Sequence, residues 1–199
     1  KSKVKMEEDI SQLAEGNFSP IFLRNATVFG ISPRMRLDLV VQNLAAYGYL
    51  EGVITILSDG LPWRPLIHIN DVSQAFCFLL KAPLEQVHNQ AFNIGHQDNN
   101  LQIKTIAEMV KSIIPNTKIE IKNENPSDNR SYKVNFSKIY SLGFKPSWSV
   151  YEGIIEIYKA FKKIKFNKAD FESDKYITLK RYQKMIASGQ MDKNFKLLI

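Results

Sequence analysis

Apolar residues recur at helical spacing in six stretches of the chain, and shorter apolar runs lie between them. The spacing predicts helices over 1–15, 37–52, 72–80, 103–114, 150–161 and 176–187. Alternating or β-branched runs predict strands over 20–25, 53–57, 66–69, 90–94, 117–122 and 132–135. A small helix over 137–142 is also expected, with loops over 26–33 and 123–130. Because strands alternate with helices, the pattern predicts an α/β fold with a partly parallel sheet.

Residues 59–80 contain a predicted loop, strand and helix in direct succession. Asp59, Gly60 and Pro62 mark the loop, and either Asn70 or Asp71 is expected to cap the helix. The apolar positions of that helix are Val72, Ala75, Phe76, Leu79 and Leu80. Arg64 stands in the loop between Trp63 and Pro65, where a guanidinium suits bidentate contact with a phosphate or a carboxylate. A surface arginine paired with an acid remains the alternative interpretation.

Composition and charge limit the classes of protein to which this chain can belong. With 199 residues and 44% hydrophobic residues, the chain can form a globular domain with a real core. The 27 Lys+Arg outnumber the 20 Asp+Glu, which is compatible with a nucleic-acid or anionic partner. However, many of the lysines are scattered between Lys159 and Lys196, as on solvated faces. Trp63 and Trp148 are isolated rather than arranged as a stacking platform, so no nucleic-acid partner is expected.

The cysteine count, the length of the apolar runs and the surroundings of His68 limit the compartment, partners and cofactors that we expect. The single cysteine, Cys77, is predicted to be buried packing, and one cysteine allows no disulfide within the chain, which fits a reducing cytoplasm. No apolar run approaches the roughly 20 residues of a membrane helix, so no membrane partner is expected. His68 has no Cys or acid at ligand spacing, so no metal site is predicted. The chain begins with Lys in a predicted helix, which indicates a piece of a longer protein.

The glycines do not form a dinucleotide-binding motif. No Gly-x-Gly-x-x-Gly or Gly-x-x-Gly-x-x-Gly occurs, and the nine glycines are scattered. The phosphate-binding first turn of a dinucleotide fold is therefore absent from this sequence.

Several short motifs nevertheless occur in a familiar order. Asp59-Gly60-x-x-x-Arg64-x-x-x-His68-x-x-Asp71-Val72 resembles the substrate-domain signature of the extended short-chain dehydrogenase/reductases, the NAD-dependent epimerase/dehydratase family that acts on nucleotide sugars. Phe22–Gly30 is similar to the family's Leu-Arg-x-x-Asn-Val-Tyr-Gly, and Asn93-Ile94-Gly95 to its Asn-Val-Gly. Ser127–Arg130, Asn135-x-Ser137-Lys138 and Leu142–Pro146 resemble its later landmarks. The likeness covers residues 1 to about 163.

The resemblance implies a fold and an activity. The chain would be the C-terminal part of an NAD(P)-binding Rossmann-type enzyme, comprising the last sheet strands and the small substrate-binding domain. Residues 1–166 would form this portion, and 167–199 a charged linker and a C-terminal helix. The implied function is that of an NAD-dependent nucleotide-sugar epimerase or dehydratase, with NAD bound mainly by a preceding half and a possible homodimer through the first helix. The chain alone is expected to be inactive.

The resemblance also implies a catalytic lysine. The family carries Tyr-x-x-x-Lys on the helix that corresponds to the first helix here, so that the two side chains meet one turn apart. The lysine binds the nicotinamide ribose and lowers the pKa of the tyrosine. Lys3 matches best, and the tyrosine would precede residue 1. Lys1 and Lys5 remain alternatives, as does a plain solvated lysine.

Four further residues inherit roles from the resemblance. Arg64 would bind the diphosphate of the sugar nucleotide, and Arg130 would complete the clamp, although pairing of Arg130 with Asp128 alone is an equal alternative. Thr27 stands where many members carry an Asn that contacts substrate phosphate, and Val28 would approach the nicotinamide through backbone and packing. The alternative function is a non-catalytic binding module, for nucleic acid or a protein partner, that reuses the fold. The sugar and nucleotide, and NAD versus NADP, cannot be read from the sequence.

Overall fold

Strands and helices alternate along residues 2–124 and 130–198, the part of the chain that this computed structural model describes. The helices are α1 (Ser2–Ser11), α2 (Val40–Glu51), α3 (Ile69–Lys81), α4 (Leu84–Val87), α5 (Ile103–Ile113), α6 (Ser137–Ser141), α7 (Val150–Ile164), α8 (Lys168–Glu172) and α9 (Thr178–Ala187). The strands are β1 (Ile21–Asn25), β2 (Thr27–Phe29), β3 (Val53–Ile56), β4 (Trp63–His68), β5 (Gln90–Ile94), β6 (Asn100–Gln102) and β7 (Lys118–Ile121). The predicted α/β fold with parallel strands is confirmed.

The chain divides into two units, and each unit combines three separate segments. Unit 1 consists of Lys1–Val28, Trp63–Leu101 and Arg130–Ser149, and unit 2 of Phe29–Pro62, Gln102–Asn129 and Val150–Ile199. The predicted boundary at residue 166 cuts the chain once, whereas these units interleave along it. That boundary therefore stays a prediction.

Unit 1 is organised around a parallel pair of strands. β1 pairs with β5, with Ile21 opposite Gln90 and Asn25 opposite Ile94. α3 connects β4 to this pair and turns Val72, Ala75 and Leu79 into a core that also includes Ile67, Phe92, Ile94, Phe136, Ile139 and Phe144. β4 is the middle strand of a sheet with the order β2-β4-β6.

Unit 2 has its own parallel pair and a helical layer. β3 pairs with β7, with Val53 opposite Lys118. Helices α2, α5 and α7 pack against one another, because each presents an apolar stripe at helical spacing. Their buried residues include Val41, Leu44, Ile106, Val110, Ile154, Ile157 and Phe161. α2 is closed by Gly52, as predicted, and Gly52 has the left-handed conformation at φ 65°.

The predicted apolar face of α3 was too wide. Phe76 and Leu80 are exposed, and Cys77, predicted to be buried, is exposed as well. The helix buries only the stripe through Val72, Ala75 and Leu79. The next residues along the chain, Phe76 and Leu80, point away from this stripe and reach solvent. Neither Asn70 nor Asp71 caps the helix. His68 does, because its Nδ1 accepts the backbone N–H of Asn70 at 3.2 Å.

Other element boundaries differ from the predictions. α1 ends at Ser11 rather than residue 15, and the predicted 26–33 loop contains β2. Residues 132–135 form no regular strand. The predicted charged linker that begins at residue 167 contains α8, whose capping box joins Asn167 and Asp170. Of the predicted 123–130 loop, 125–129 lie outside the described residues.

Candidate functional site

Arg64 is the second residue of β4, not a loop residue as predicted. Its Nη1 donates a hydrogen bond to the backbone carbonyl of Trp63 at 3.0 Å and another to the backbone carbonyl of Arg130. The fold therefore brings the two predicted clamp residues together at the beginning of β4. The contact is a hydrogen bond from the Arg64 guanidinium to the main-chain carbonyl of Arg130. The alternative partner of Arg130, Asp128, lies outside the described residues.

The segment that follows Arg130 is held against the first residue of β4. The backbone N–H of Trp63 donates to Ser131 Oγ at 3.1 Å, and the N–H of Tyr132 donates to the Trp63 carbonyl at 3.4 Å. Lys133 Nζ lies 3.6 Å from the centroid of the Trp63 ring, a distance at which a cation is attracted to the ring face. Sequence reasoning missed Lys133 and treated Trp63 only as an isolated aromatic residue.

A cavity of about 500 Å³ continues along this segment. Asn135 Oδ1 accepts the N–H of Ser137 at 2.8 Å, and Asn93 Nδ2 donates to the Asn135 carbonyl at 3.2 Å. These bonds fix a main-chain turn that forms part of the wall. The lining residues are Gln97, Lys133, Val134, Asn135, Ser137 and Tyr140.

Tyr140 joins this wall to the end of β5. Its hydroxyl donates to the Gly95 carbonyl at 2.9 Å and accepts the N–H of Gln97 at 3.0 Å. Burial raises the pKa of the Tyr140 phenol above its ordinary value, since the charged form loses hydration. The phenol therefore stays protonated at neutral pH and keeps its donor role.

Thr27 and Val28 form the first two residues of β2, directly after the buried Ala26 that follows β1. Both are half-buried, and β2 lies next to β4 in the sheet. In open α/β sheets, ligands bind outside the carboxyl ends of parallel strands. Both residues lie just beyond the carboxyl end of β1, and their ligand contacts stay predictions.

Lys3 lies on α1 with its side chain exposed, and so does its rival Lys5. The other rival, Lys1, lies outside the described residues. No contact in the described structure distinguishes Lys3 from Lys5, so the choice of Lys3 stays a prediction.

An ion pair ties α1 to β1. Arg24 Nη2 lies 2.5 Å from Glu7 Oε2, and Arg24 Nε donates to the same carboxylate at 3.1–3.2 Å. This bidentate hydrogen bond lowers the pKa of Glu7 below its ordinary value and raises that of Arg24. The predicted active-site helix is thus oriented against the strand that leads to Thr27.

Asp71 does more than begin a helix. It lies in the first turn of α3 and is buried. Its carboxylate accepts the N–H groups of Ser147 and Trp148, each at 3.0 Å, and the Ser147 hydroxyl at 3.1 Å. The Trp148 ring stacks on His68 with the ring centroids 4.0 Å apart. Sequence reasoning found the helix start but missed this anchor, because the partners lie 76 and 77 residues away.

Residues 2–124 and 130–198 contain neither a metal-binding cluster nor a membrane-spanning helix. No group of three or more His, Cys, Asp or Glu side chains there is placed to hold a metal ion. No helix in this part of the chain is both long and apolar enough to cross a membrane.

The sheet and the elements around Arg64 form a portion of a Rossmann-type fold, and comparison with known proteins shows which proteins the chain is similar to. Residues 1–95 match the model of the NAD dependent epimerase/dehydratase family. This match includes Arg64, Asp71 and the Asn93–Gly95 motif. The match covers just under half of this chain and agrees with the family resemblance that its motifs indicated.

Solved structures share the fold. The UDP-glucose 4-epimerase of Thermotoga maritima, solved with UDP-glucose, aligns with a TM-score of 0.69 at 24% identity over 81% of this chain and 52% of that protein. The UDP-glucuronic acid 4-epimerase of Bacillus cereus, solved with UDP-glucuronic acid and NAD, aligns with a TM-score of 0.65 at 23% identity over 79% and 50% of the two chains.

Curated relatives are matched over a smaller share of their length. A probable GDP-L-fucose synthase 1 of Oryza sativa subsp. japonica is 29% identical over 109 residues, which are 53% of this chain and 31% of that protein. The chain therefore spans about a third of this relative and about half of the solved structures.

Proposed function

We propose that this chain supplies the substrate-binding portion of a cytoplasmic nucleotide-sugar epimerase or dehydratase. The observation that carries the proposal is the contact between the Arg64 guanidinium and the main chain of Arg130, at one end of a strand within the family signature. The family match and the nucleotide sugars bound by the two solved epimerases support it.

Arg64 and Arg130 would hold the diphosphate. A guanidinium presents several N–H donors in a fixed plane, which suits the Arg64 side chain to bidentate contact with a diphosphate. Ser131 and Lys133 hold the neighbouring segment on Trp63, which limits the freedom of Arg130 before the substrate arrives. Such preorganisation reduces the entropy lost on binding. Thr27, whose hydroxyl can donate, would contact the same phosphates.

NAD would contact only part of this chain. The residues present fit a partial role, since Lys3 is exposed on α1 and Val28 follows the carboxyl end of β1, while the glycine-rich phosphate turn is absent from the sequence. Lys3 would bind the nicotinamide ribose, and the backbone of Val28 would lie near the nicotinamide. Bound NAD supplies the hydride acceptor for the reaction at a sugar carbon.

Lys3 would also assist proton transfer. A lysine one helical turn after a tyrosine favours the phenolate, because a nearby positive charge lowers the phenol pKa. The tyrosine would lie just before residue 1. In this arrangement Arg64 and Arg130 orient the sugar. Lys3 favours the deprotonated form of the tyrosine, which takes the proton of the sugar hydroxyl.

A homodimer through α1 belongs to the same proposal. α1 buries none of its residues, and Val4 and Met6 are exposed on it. Residues two positions apart lie on different sides of a helix, so a second copy would cover Met6, with Ile10 one turn further along, rather than Val4.

Calorimetric titration of the complete protein with UDP-glucose and with a GDP-sugar tests the clamp. Arg64→Ala or Arg130→Ala each removes a charge-assisted contact, so affinity for the preferred nucleotide sugar is expected to fall about tenfold to a hundredfold. The double variant should lose less than the sum of the two, because both residues act on one anion. Arg181→Ala, an exposed arginine on α9, is the matched control.

Folding of each variant is measured separately, since Arg64→Ala also removes the bond to the Arg130 carbonyl. Unchanged affinity in a folded Arg64→Ala protein would overturn the clamp. Strictly additive losses would show that the two arginines act on different groups.

A further inference from the structure

The last helix lies outside the core of unit 2. α9 has 10 residues and buries none of them. Leu179, Tyr182 and Ile186 share one face at helical spacing, while Lys180 and Lys184 lie on the opposite face. The helix is therefore amphipathic, and Leu179 and Tyr182 on its apolar face are exposed, while Ile186 is half-buried.

The turn after α9 extends this apolar face. Met191 and Leu197 form an antiparallel bridge, and the N–H of Leu198 donates to the Gln190 carbonyl at 2.9 Å. The Phe195 ring lies 5.9 Å from that of Tyr182, so the turn is folded back onto the helix. We call the exposed apolar residues the terminal patch: Leu179 at 62% exposure, Tyr182 at 38%, Phe195 at 62%, Leu197 at 53% and Leu198 at 55%.

Positive charge surrounds the terminal patch. Residues 178–198 contain five cations and one carboxylate, Asp192, so they carry +4 of the chain's net +7. The Asp192 Oδ1 is occupied by the N–H groups of Asn194 and Lys196 at 2.8 and 2.9 Å. The cations are Lys180, Arg181, Lys193 and Lys196, together with Lys184, which is partly neutralised because its Nζ lies 3.2 Å from Asp174 Oδ2.

The residues that precede α9 are attached to the rest of unit 2. The Tyr176 carbonyl accepts the N–H of Leu37 at 3.2 Å, and the Tyr176 ring packs edge-on against Phe166, which is buried. Residues just before α9 are thus attached to unit 2, and the terminal patch is presented by a folded surface.

We propose that α9 and the turn after it bind an anionic membrane surface. A helix of 10 residues is about 15 Å long, which suits a position in the plane of the interface, with the terminal patch among the acyl chains and the lysines at the headgroups. Protein interfaces are instead depleted in lysine and enriched in arginine, and four of the five cations here are lysines. This proposal departs from the expectation, drawn from the sequence, that the chain has no membrane partner.

Vesicle flotation with the complete protein tests the proposal. Vesicles of phosphatidylcholine with roughly 30% phosphatidylserine are compared with pure phosphatidylcholine, at low and at high salt. We expect binding to the anionic vesicles only, weakened by salt because screening shortens the reach of the charges. Lys193→Gln/Lys196→Gln should weaken binding about 25-fold, at roughly fivefold for each charge removed. The matched control, Lys159→Gln/Lys163→Gln on exposed positions of α7, should bind like the unmodified protein.

An apolar variant separates membrane insertion from general attraction to polyanions. Leu179→Gln/Leu198→Gln keeps every charge and removes two exposed side chains of the terminal patch, so it should bind anionic vesicles at least tenfold more weakly. The proposal is overturned if the protein does not bind anionic vesicles. It is equally overturned if the apolar variant binds them unchanged, or if heparin binds the protein as tightly as vesicles do, since either outcome indicates a general polyanion or nucleic-acid surface.

Discussion

The buried carboxylate of Asp71 accepts the backbone N–H of Trp148 at 3.0 Å, and this bond joins the start of α3 to a segment 77 residues later. The same carboxylate bonds the N–H and the hydroxyl of Ser147. A short acidic side chain in the family signature thereby fixes the position at which the Trp148 ring stacks on His68.

Asp71→Ala is expected to lower the free energy of unfolding by about 2–4 kcal/mol. The change leaves two backbone N–H groups without their charged acceptor, and buried unsatisfied donors are costly. Asp71→Asn should lose less, since the amide oxygen can still accept one N–H. Urea unfolding measures both, with Asp98→Asn as the exposed control. A loss no greater than that of the control would mean that the anchor contributes little.

Gly95→Ala should destabilise the protein by about 1–3 kcal/mol. An added Cβ would overlap the Phe136 ring, and that ring is fully buried and has no space to move into. Gly16→Ala is the matched control, because nothing lies within 4 Å of its added Cβ. Thermal unfolding of the two variants checks the difference. Equal stability of both would show that the Phe136 ring can give way.

The Glu7–Arg24 ion pair should contribute to stability in a pH-dependent way. The folded-state pKa of Glu7 is lowered from its ordinary 4.5, so the contribution is present above about pH 4.5 and is lost as the pH falls through the lowered pKa. At neutral pH, Glu7→Gln is expected to cost less than about 1 kcal/mol, since Arg24 is largely exposed.

Unfolding measured from pH 7 to pH 3 gives the test of that ion pair. The difference between the unmodified protein and Glu7→Gln should shrink with acidity, and the corresponding difference for Glu8→Gln, whose side chain is exposed, should stay near zero. A difference that grows with acidity would contradict the assigned direction.

In the complete protein, Lys3→Met should lower kcat about a hundredfold or more and leave nucleotide-sugar affinity nearly unchanged. The lysine is proposed to act on the ribose and on the tyrosine pKa, and proton-transfer groups typically contribute effects of this size. Steady-state kinetics with calorimetric binding separates the two quantities. Lys5→Met and Lys1→Met are the comparisons. If either of them abolished turnover while Lys3→Met did not, the assignment would move to that lysine.

The sequence was most informative where local pattern and packing agree. α5 stops next to Pro115 and buries the stripe through Ile106 and Val110 that its spacing predicted. α3 shows the limit of the same reasoning. Phe76 and Leu80 are as apolar as the buried Leu79, but their burial depends on which neighbouring segment covers that side of the helix, and helical spacing carries no information about it.

The candidate site was predictable only as a set of residues. The motif order pointed to Arg64 and Arg130, 66 residues apart, but it could not show that one donates to the main chain of the other. The contact of Lys133 with Trp63 could not be predicted for the same reason. Neither residue matches a motif, and the cation–π contact exists only once the two segments meet.

The alternating segments of the two units have a consequence for how the chain folds. No single cut releases either unit intact, because unit 1 resumes after 29–62 and again after 102–129. The parallel pair β1–β5 joins residues 69 positions apart, and β3–β7 joins residues 65 apart. Neither pair can form before a long loop closes, and the entropy of that closure is lost before the strands' contacts repay it. High contact order of this kind favours slow folding, in which strand edges stay exposed until the distant segments arrive.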